Sequence, residues 1–260
     1  MSAEPAARTP DIREARRLFP ATADRAYFNT AATGLASQRL ADSYHAFIDK
    51  WTATGLDFSR GEQAAGDARS AVARLTGADA RDIALIPSVS SAAGLVAAQF
   101  GPAGPGESIV IGQREYSSNH FPWRQLAGQG YDIRQVPFRN GGLEPSDVAE
   151  RVDTGTRVVA FSGVQSATGH RSDIAAISGL AREAGAIVFV DGSQLVGALP
   201  VADDLRHVDV LVAPDHKFLL NAGRVWATAT CHPPRRRASH RSTRAGGRAA
   251  FRWTASSAPR

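Results

Sequence analysis

Residues 208–220 read VDVLVAPDHKFLL. The stretch opens as a short β-branched run suited to a buried strand. It then turns through Pro-Asp to a single lysine, Lys217, with apolar residues on its far side. An ammonium held at a strand end against an apolar run loses hydration, which lowers a lysine pKa. A lysine in that state becomes a nucleophile able to form a Schiff base. The plainer reading is a surface lysine at a strand-to-loop junction, since lysine is seldom buried. The rest of the chain decides between them.

Upstream, apolar runs recur at Ile83–Ile86, 108–111, 133–136, 158–161 and 187–190, with 208–212 as the last. Helical spacing fills most of the intervals, at 92–100, 119–126, 145–151 and 174–184. Near-continuous apolar strands alternating with helices predict a mostly parallel sheet covered on both faces, a three-layer αβα member of the α/β class. Ahead of it, residues 11–18, 40–51 and 64–75 carry helical patterns. Residues 27–30 read as extended, and AATG at 31–34 as a turn of small residues. No internal repeat is present.

Composition bounds the function. The chain has 260 residues, 43% of them hydrophobic, enough for a substantial core. No apolar run approaches the roughly 20 residues of a membrane span, and the charged N-terminus has no secretory h-region. The one cysteine, Cys231, excludes an internal disulfide framework and a cysteine-rich zinc site. A cytoplasmic setting is expected. The pI near 10 suggests nucleic acid only until its source is located. Residues 231–260 hold eight arginines and no acid, so with +5 on the whole chain, residues 1–230 carry −3. The basic footprint of a specific nucleic-acid binder is therefore absent from the folded part. The tail lacks Val, Ile, Leu and Met, and a disordered segment is expected there.

In such a fold, ligands gather beyond the carboxyl ends of the strands. PSVSSAAG at 87–94 is a serine-rich turn into a helix, suited to a phosphate or, more simply, to an N-cap. QREYSSNHFPW at 113–123 puts Tyr116, His120 and Trp123 near the same rim, with aromatic packing as the simpler account. SGVQSATGHRSD at 162–173 ends in Asp173, which a helix cap explains. Asp191 ends the run AIVFV, and a carboxylate at the mouth of a buried strand needs a cation or several donors. Lys217 ends the next run on the same sheet edge. One account is an Asp191–Lys217 ion pair alone. The other places between them a cofactor with a cationic ring nitrogen and an aldehyde, the combination found in pyridoxal phosphate.

On these residues the chain resembles the class V aminotransferases, the fold-type I pyridoxal-phosphate enzymes that include cysteine desulfurases, selenocysteine lyases and isopenicillin N epimerase-like proteins. The likeness covers roughly residues 27–224. It is most specific in VFVDGSQLVGALPV (188–201) and VDVLVAPDHKFLL (208–220). The resemblance implies a large pyridoxal-phosphate domain over residues 1–230. Lys217 matches the Schiff-base lysine and His216 its usual preceding histidine. Asp191 matches the partner of the pyridinium nitrogen, and Gln194 a residue near the phenolic oxygen. Ser90 and the amide of Val89 fall where the family binds phosphate, and Tyr116 where an aromatic stacks on the ring. Gln165, favoured over Gly163 because its side chain can donate, occupies the loop that reaches the phenolic oxygen. A small-molecule amino acid substrate and a homodimer of the full-length form are implied as well.

The chain also departs from the pattern. Pro214 stands where many relatives have a phosphate-binding serine, and Tyr116 where many have histidine. Relatives continue into a small C-terminal domain carrying a substrate-carboxylate arginine and, in desulfurases, a nucleophilic cysteine. Composition changes abruptly near Arg224, and VWATATC, shifted by one base, permits the family-like strand Gly-Met-Gly-Tyr-Cys-Tyr-Leu. The expectation is a frame break near Val225, with 231–260 a basic tail read out of frame. A genuine short form with a basic tail is the alternative. The function expected is pyridoxal-phosphate chemistry on an amino acid: transamination, epimerisation, or elimination at Cβ or Cγ. Desulfuration is least supported, because Cys231 lies in the aberrant tail. The alternatives are a non-catalytic fragment, cysteine desulfurase or selenocysteine lyase-type activity in the full-length form, and salt-sensitive, non-specific nucleic-acid binding through the tail.

Overall fold

Alternation along the central strands sorts side chains into two cores. Among the described residues of the computed structural model, 11–221 and 227–231, seven strands form one sheet. They are β1 Ile83–Ile86, β2 Ser108–Gly112, β3 Asp132–Val136, β4 Thr156–Ser162, β5 Ile187–Asp191, β6 Val210–Pro214 and β7 Ala227–Cys231. Their spatial order is β1-β7-β6-β5-β4-β2-β3. From β6 to β3 every pair is parallel, while β7 runs antiparallel to both β6 and β1. Ile109, Ile111, Val158, Ala160, Phe189, Val210 and Val212 join one core. Their neighbours Val110, Val159, Phe161, Val188, Val190, Leu211 and Ala213 join the other. This period of two, with both faces covered, is what a buried parallel sheet requires.

The helices are α1 Ile12–Arg17, α2 Gln38–Thr54, α3 Phe58–Thr76, α4 Val89–Ala97, α5 Phe121–Arg124, α6 Pro145–Ala149, α7 Ile174–Ala184 and α8 Ala202–Leu205. On one face α4 contributes Val89, Ala92, Ala93 and Val96, and α5 contributes Trp123. On the other, α6, α7 and α8 contribute Val148, Ile174, Ile177, Ala181 and Leu205. The three-layer αβα expectation holds. Asp173 caps α7 by accepting from the Ala176 amide at 2.9 Å, the role read for it.

Boundaries move by a few residues: the helix expected at 92–100 is α4, Val89–Ala97, and two further differences have a local cause. The strand expected at 208–212 begins at Val210 instead. The Val208 amide donates to Leu205, closing α8, and the Asp209 carboxylate accepts from Val188 at 2.8 Å. Only the strand's bounds differ, so each residue keeps its alternation between the two faces. The helix expected at 119–126 is a series of short turns around α5, because Pro122 has no amide to continue a helix from upstream.

Strand β7 was not read as a strand. It lies within the stretch expected to be out of frame, and ATATC pairs as it stands with both neighbours. The remainder of the proposed tail, the frame junction at Val225 and residues 1–10 lie outside the described residues. Among the described residues no helix is long and apolar enough to cross a membrane.

Candidate active site

Chain order reverses across the sheet between β2 and β4, since β3 lies outside β2 while β5 and β6 extend the other way. The crevice at such a reversal is where open α/β sheets take ligands. At or past the carboxyl ends of β2, β4, β5 and β6 stand Tyr116, Gln165, Asp191 and Lys217.

Asp191 is the last residue of β5, in register with Ser162 of β4 and Val212 of β6. It is 2% exposed. Its Oδ1 accepts from the Ser193 amide at 2.9 Å. Burial pushes its carboxyl above the usual carboxylate range, against the Ser193 hydrogen bonds and the charge of Lys217, both of which pull it down. Lys217 is half-buried, and its Nζ lies 5.6 Å from the centroid of the Tyr116 ring. An acid, an amine and a flat aromatic thus share one sheet edge.

The lysine loop is clamped by two close backbone approaches. The Gly34 amide donates to the His216 carbonyl at 2.7 Å, and a Cβ on Gly34 would stand 2.5 Å from the Lys217 carbonyl oxygen. At Gly197, where φ is +88°, a Cβ would meet the Phe218 carbonyl oxygen at 2.6 Å. Gln194 is buried, and its Nε2 donates to the Ala31 carbonyl at 3.0 Å. The small-residue turn at 31–34 is therefore part of the site's floor, a role its sequence alone did not suggest.

Val89 and Ser90 are the first two residues of α4, so their amides open toward the helix N-terminus. Ser88 caps the helix, accepting from the Ser91 amide at 3.0 Å. Ser90 is exposed and lines a cleft of about 360 Å³ along α4, which Asp191, Gln194 and Lys217 do not line.

Three expectations need correction. Trp123 is not at the rim: it is fully buried, edge-on to Phe189 with ring centroids 5.0 Å apart. Gln165 does not hold its side chain simply ready to donate outward, because its Nε2 already donates to Glu115 at 2.8 Å. The third is an omission. Glu115 is 8% exposed and also accepts from the Ser162 amide at 3.0 Å and from the Ser162 hydroxyl. Burial raises its pKa, the Ser162 and Gln165 hydrogen bonds oppose that rise, and the Asp191 charge adds to it. Glu115 lies three residues past the end of buried strand β2, close enough for the reasoning applied to Asp191 to single it out.

The donor set fits pyridoxal phosphate. Asp191 is a buried carboxylate that calls for a cationic partner, Lys217 is an amine on the same edge, and α4 offers helix amides to an anion. Among the described residues no cluster of His, Cys, Asp and Glu is arranged to hold a metal.

This arrangement defines a fold-type I pyridoxal-phosphate domain. The profile of the aminotransferase class-V family matches residues 26–223, and the chain belongs to that family. It is 29% identical over 221 residues to a probable cysteine desulfurase of Methanothermobacter thermautotrophicus, covering 82% of this chain and 54% of that protein. The chain thus spans about half the length of that curated relative. The cysteine desulfurase CsdA of Escherichia coli superposes with a TM-score of 0.74 at 22% identity, over 86% of this chain and 59% of that one. A C-DES variant with glycine covalently linked to its pyridoxal-phosphate cofactor superposes with a TM-score of 0.75 at 21% identity, over 86% and 60%. At such identities the likeness of the structures is one of fold.

Proposed function

We propose that this chain is the cofactor-holding part of a pyridoxal-phosphate enzyme acting on a small amino acid. One observation carries the reading: Asp191 and Lys217 leave adjacent parallel strands at one edge, with the Tyr116 ring beside the amine. When bound, pyridoxal phosphate supplies an electron sink for charge developing at the substrate Cα.

The residues divide the remaining work. Asp191 stays anionic against a cationic ring nitrogen, which relieves the cost of burying its charge. Lys217 Nζ anchors the cofactor and then takes and returns the α-proton of the substrate. Val89 and Ser90 hold the phosphate at the start of α4. Tyr116 stacks on the ring, Gln194 and Gln165 flank its phenolic oxygen, and His216 borders it beside the lysine. A homodimer in the full-length form belongs to the same proposal.

Cysteine or cystine is the favoured substrate, because relatives are named cysteine desulfurases and C-DES is a cystine C–S lyase. Cys231 is given no part in this proposal. Its backbone pairs with Val210 at the start of β6, about 13 Å of strand from the end that leads to Lys217.

A second reading, cofactor binding without turnover, has its own support. Helix α2 buries no residue, and Tyr44, Phe47, Ile48 and Trp51 present an exposed apolar stripe along it. Incubating the purified chain with pyridoxal phosphate tests the first reading: visible absorption should develop and be lost in Lys217→Ala. Exchange of the L-cysteine α-proton in heavy water, followed by proton NMR, then separates the two. Uptake without exchange favours the second reading, and no uptake overturns both.

A further inference from the structure

Glu115 lies in the 113–123 stretch without a role assigned to it there, yet polar groups from the end of β4, from the loop after it and from its own loop converge on it. Its carboxylate accepts from Gln165 Nε2 at 2.8 Å, from the Ser162 amide at 3.0 Å, from the Ser162 hydroxyl, and from Asn119 Nδ2 at 3.4 Å. Asn119 is fully buried, and its Oδ1 accepts from the Trp123 indole at 3.0 Å. Each link has a fixed direction. The indole only donates, so Asn119 must turn its oxygen toward Trp123 and its nitrogen toward Glu115. The ionised carboxylate only accepts, so Gln165 must turn its nitrogen inward.

We propose that Glu115 is a positioning residue whose charge fixes the Gln165 amide, so that its oxygen and its remaining N–H face the ligand beside Asp191. The two ends of a glutamine amide are nearly isosteric, and only its partners decide which end points where. Reversing Gln165 would set its amide oxygen against a buried carboxylate, costing Glu115 one of its donors and leaving the Gln165 oxygen facing no donor there. Ser162, which holds Glu115 through backbone and hydroxyl together, is the register partner of Asp191 across β4 and β5. The orientation is thus carried from the core at Trp123 to the residue next to the ligand. The ligand named here is pyridoxal phosphate, and to that extent the inference rests on the proposed function.

The test is a double-mutant cycle on the full chain, reading the dissociation constant of pyridoxal phosphate from its visible absorption. Glu115→Gln, which can accept or donate, should weaken binding by about tenfold when Gln165 is present. In a Gln165→Ala background the same change should do almost nothing, because the residue it acts through is gone. Equal losses in the two backgrounds, or no loss in either, overturn the proposal. A second measurement needs neither variant nor cofactor. The Gln165 side-chain amide protons in the unmutated chain should exchange slowly and shift as Glu115 titrates; fast exchange with no titration overturns the proposal. Failure of the unmutated chain to take up pyridoxal phosphate would strike the cofactor reading instead, and the amide protons would then decide on Glu115 alone.

Discussion

The Gly34 amide donates to the His216 carbonyl at 2.7 Å, which joins the N-terminal turn to the loop that carries Lys217. The approach is close enough that a methyl group on Gly34 would overlap the Lys217 carbonyl oxygen at 2.5 Å and Leu220 Cδ2 at 2.7 Å. Gly34→Ala must therefore displace either the turn or the lysine loop. Overpacking of this kind costs about 1–3 kcal/mol. The expected result is a lower unfolding midpoint together with weaker uptake of pyridoxal phosphate. A variant that keeps wild-type uptake would show that the two segments separate without consequence for the lysine.

Asp191 and Glu115 both have pKa values raised by burial, so their contributions to stability share one sign. With the folded value above the unfolded one, each contribution is fully present below the unfolded pKa. It is lost as pH rises through the raised folded value. Without cofactor, the chain should lose stability from these two groups on going from acid toward neutral pH. Asp191→Asn removes one source of that loss. It should raise the neutral-pH melting temperature of the cofactor-free chain, flatten its dependence on pH over that interval, and weaken pyridoxal-phosphate binding. Thermal melts across the pH range, with and without cofactor, check both halves. A cofactor-free Asp191→Asn chain less stable than its parent at neutral pH contradicts the account.

The sheet was legible because its strands are apolar on both faces, and different bounds for β6 move no side chain to another face. Asp191 and Lys217 were legible because a charge at the end of a buried strand is costly wherever it occurs. Glu115 obeys the same rule, but the neighbouring Tyr116 drew attention to stacking instead. Gly34 and Ala31 could not be read, because their contribution is backbone proximity to residues 216–220 and to Gln194, which no local pattern encodes. Strand β7 was missed for another reason: Ala-Thr alternation is weakly apolar, and its place between β1 and β6 comes from pairing rather than from its own burial signal.

Helix α2 offers a check on solubility. Phe47 and Trp51 are 52% and 49% exposed, and their rings are 5.8 Å apart. An exposed apolar stripe of this size promotes association. The double change Phe47→Glu and Trp51→Glu should shift sedimentation toward monomer without altering pyridoxal-phosphate affinity, because α2 contributes none of the site side chains. Unchanged sedimentation would mean the stripe takes no part in self-association, and a change in affinity would mean that α2 supports the site after all.

Tyr116 gives the sharpest separation between packing and acid–base chemistry. Tyr116 is 55% exposed, and Lys217 Nζ lies over its ring, 5.6 Å from the centroid, so the ring presents its face to the amine. Stacking on a flat ligand needs the ring and not the hydroxyl. Tyr116→Phe should therefore keep pyridoxal-phosphate affinity within about twofold, whereas Tyr116→Ala should lose about three- to tenfold, on the scale of one aromatic pair. Titration of the visible absorption in parallel for the three proteins measures both ratios. If Tyr116→Phe loses as much as Tyr116→Ala, the hydroxyl is what matters, and the contact with Lys217 has to be read as a polar one.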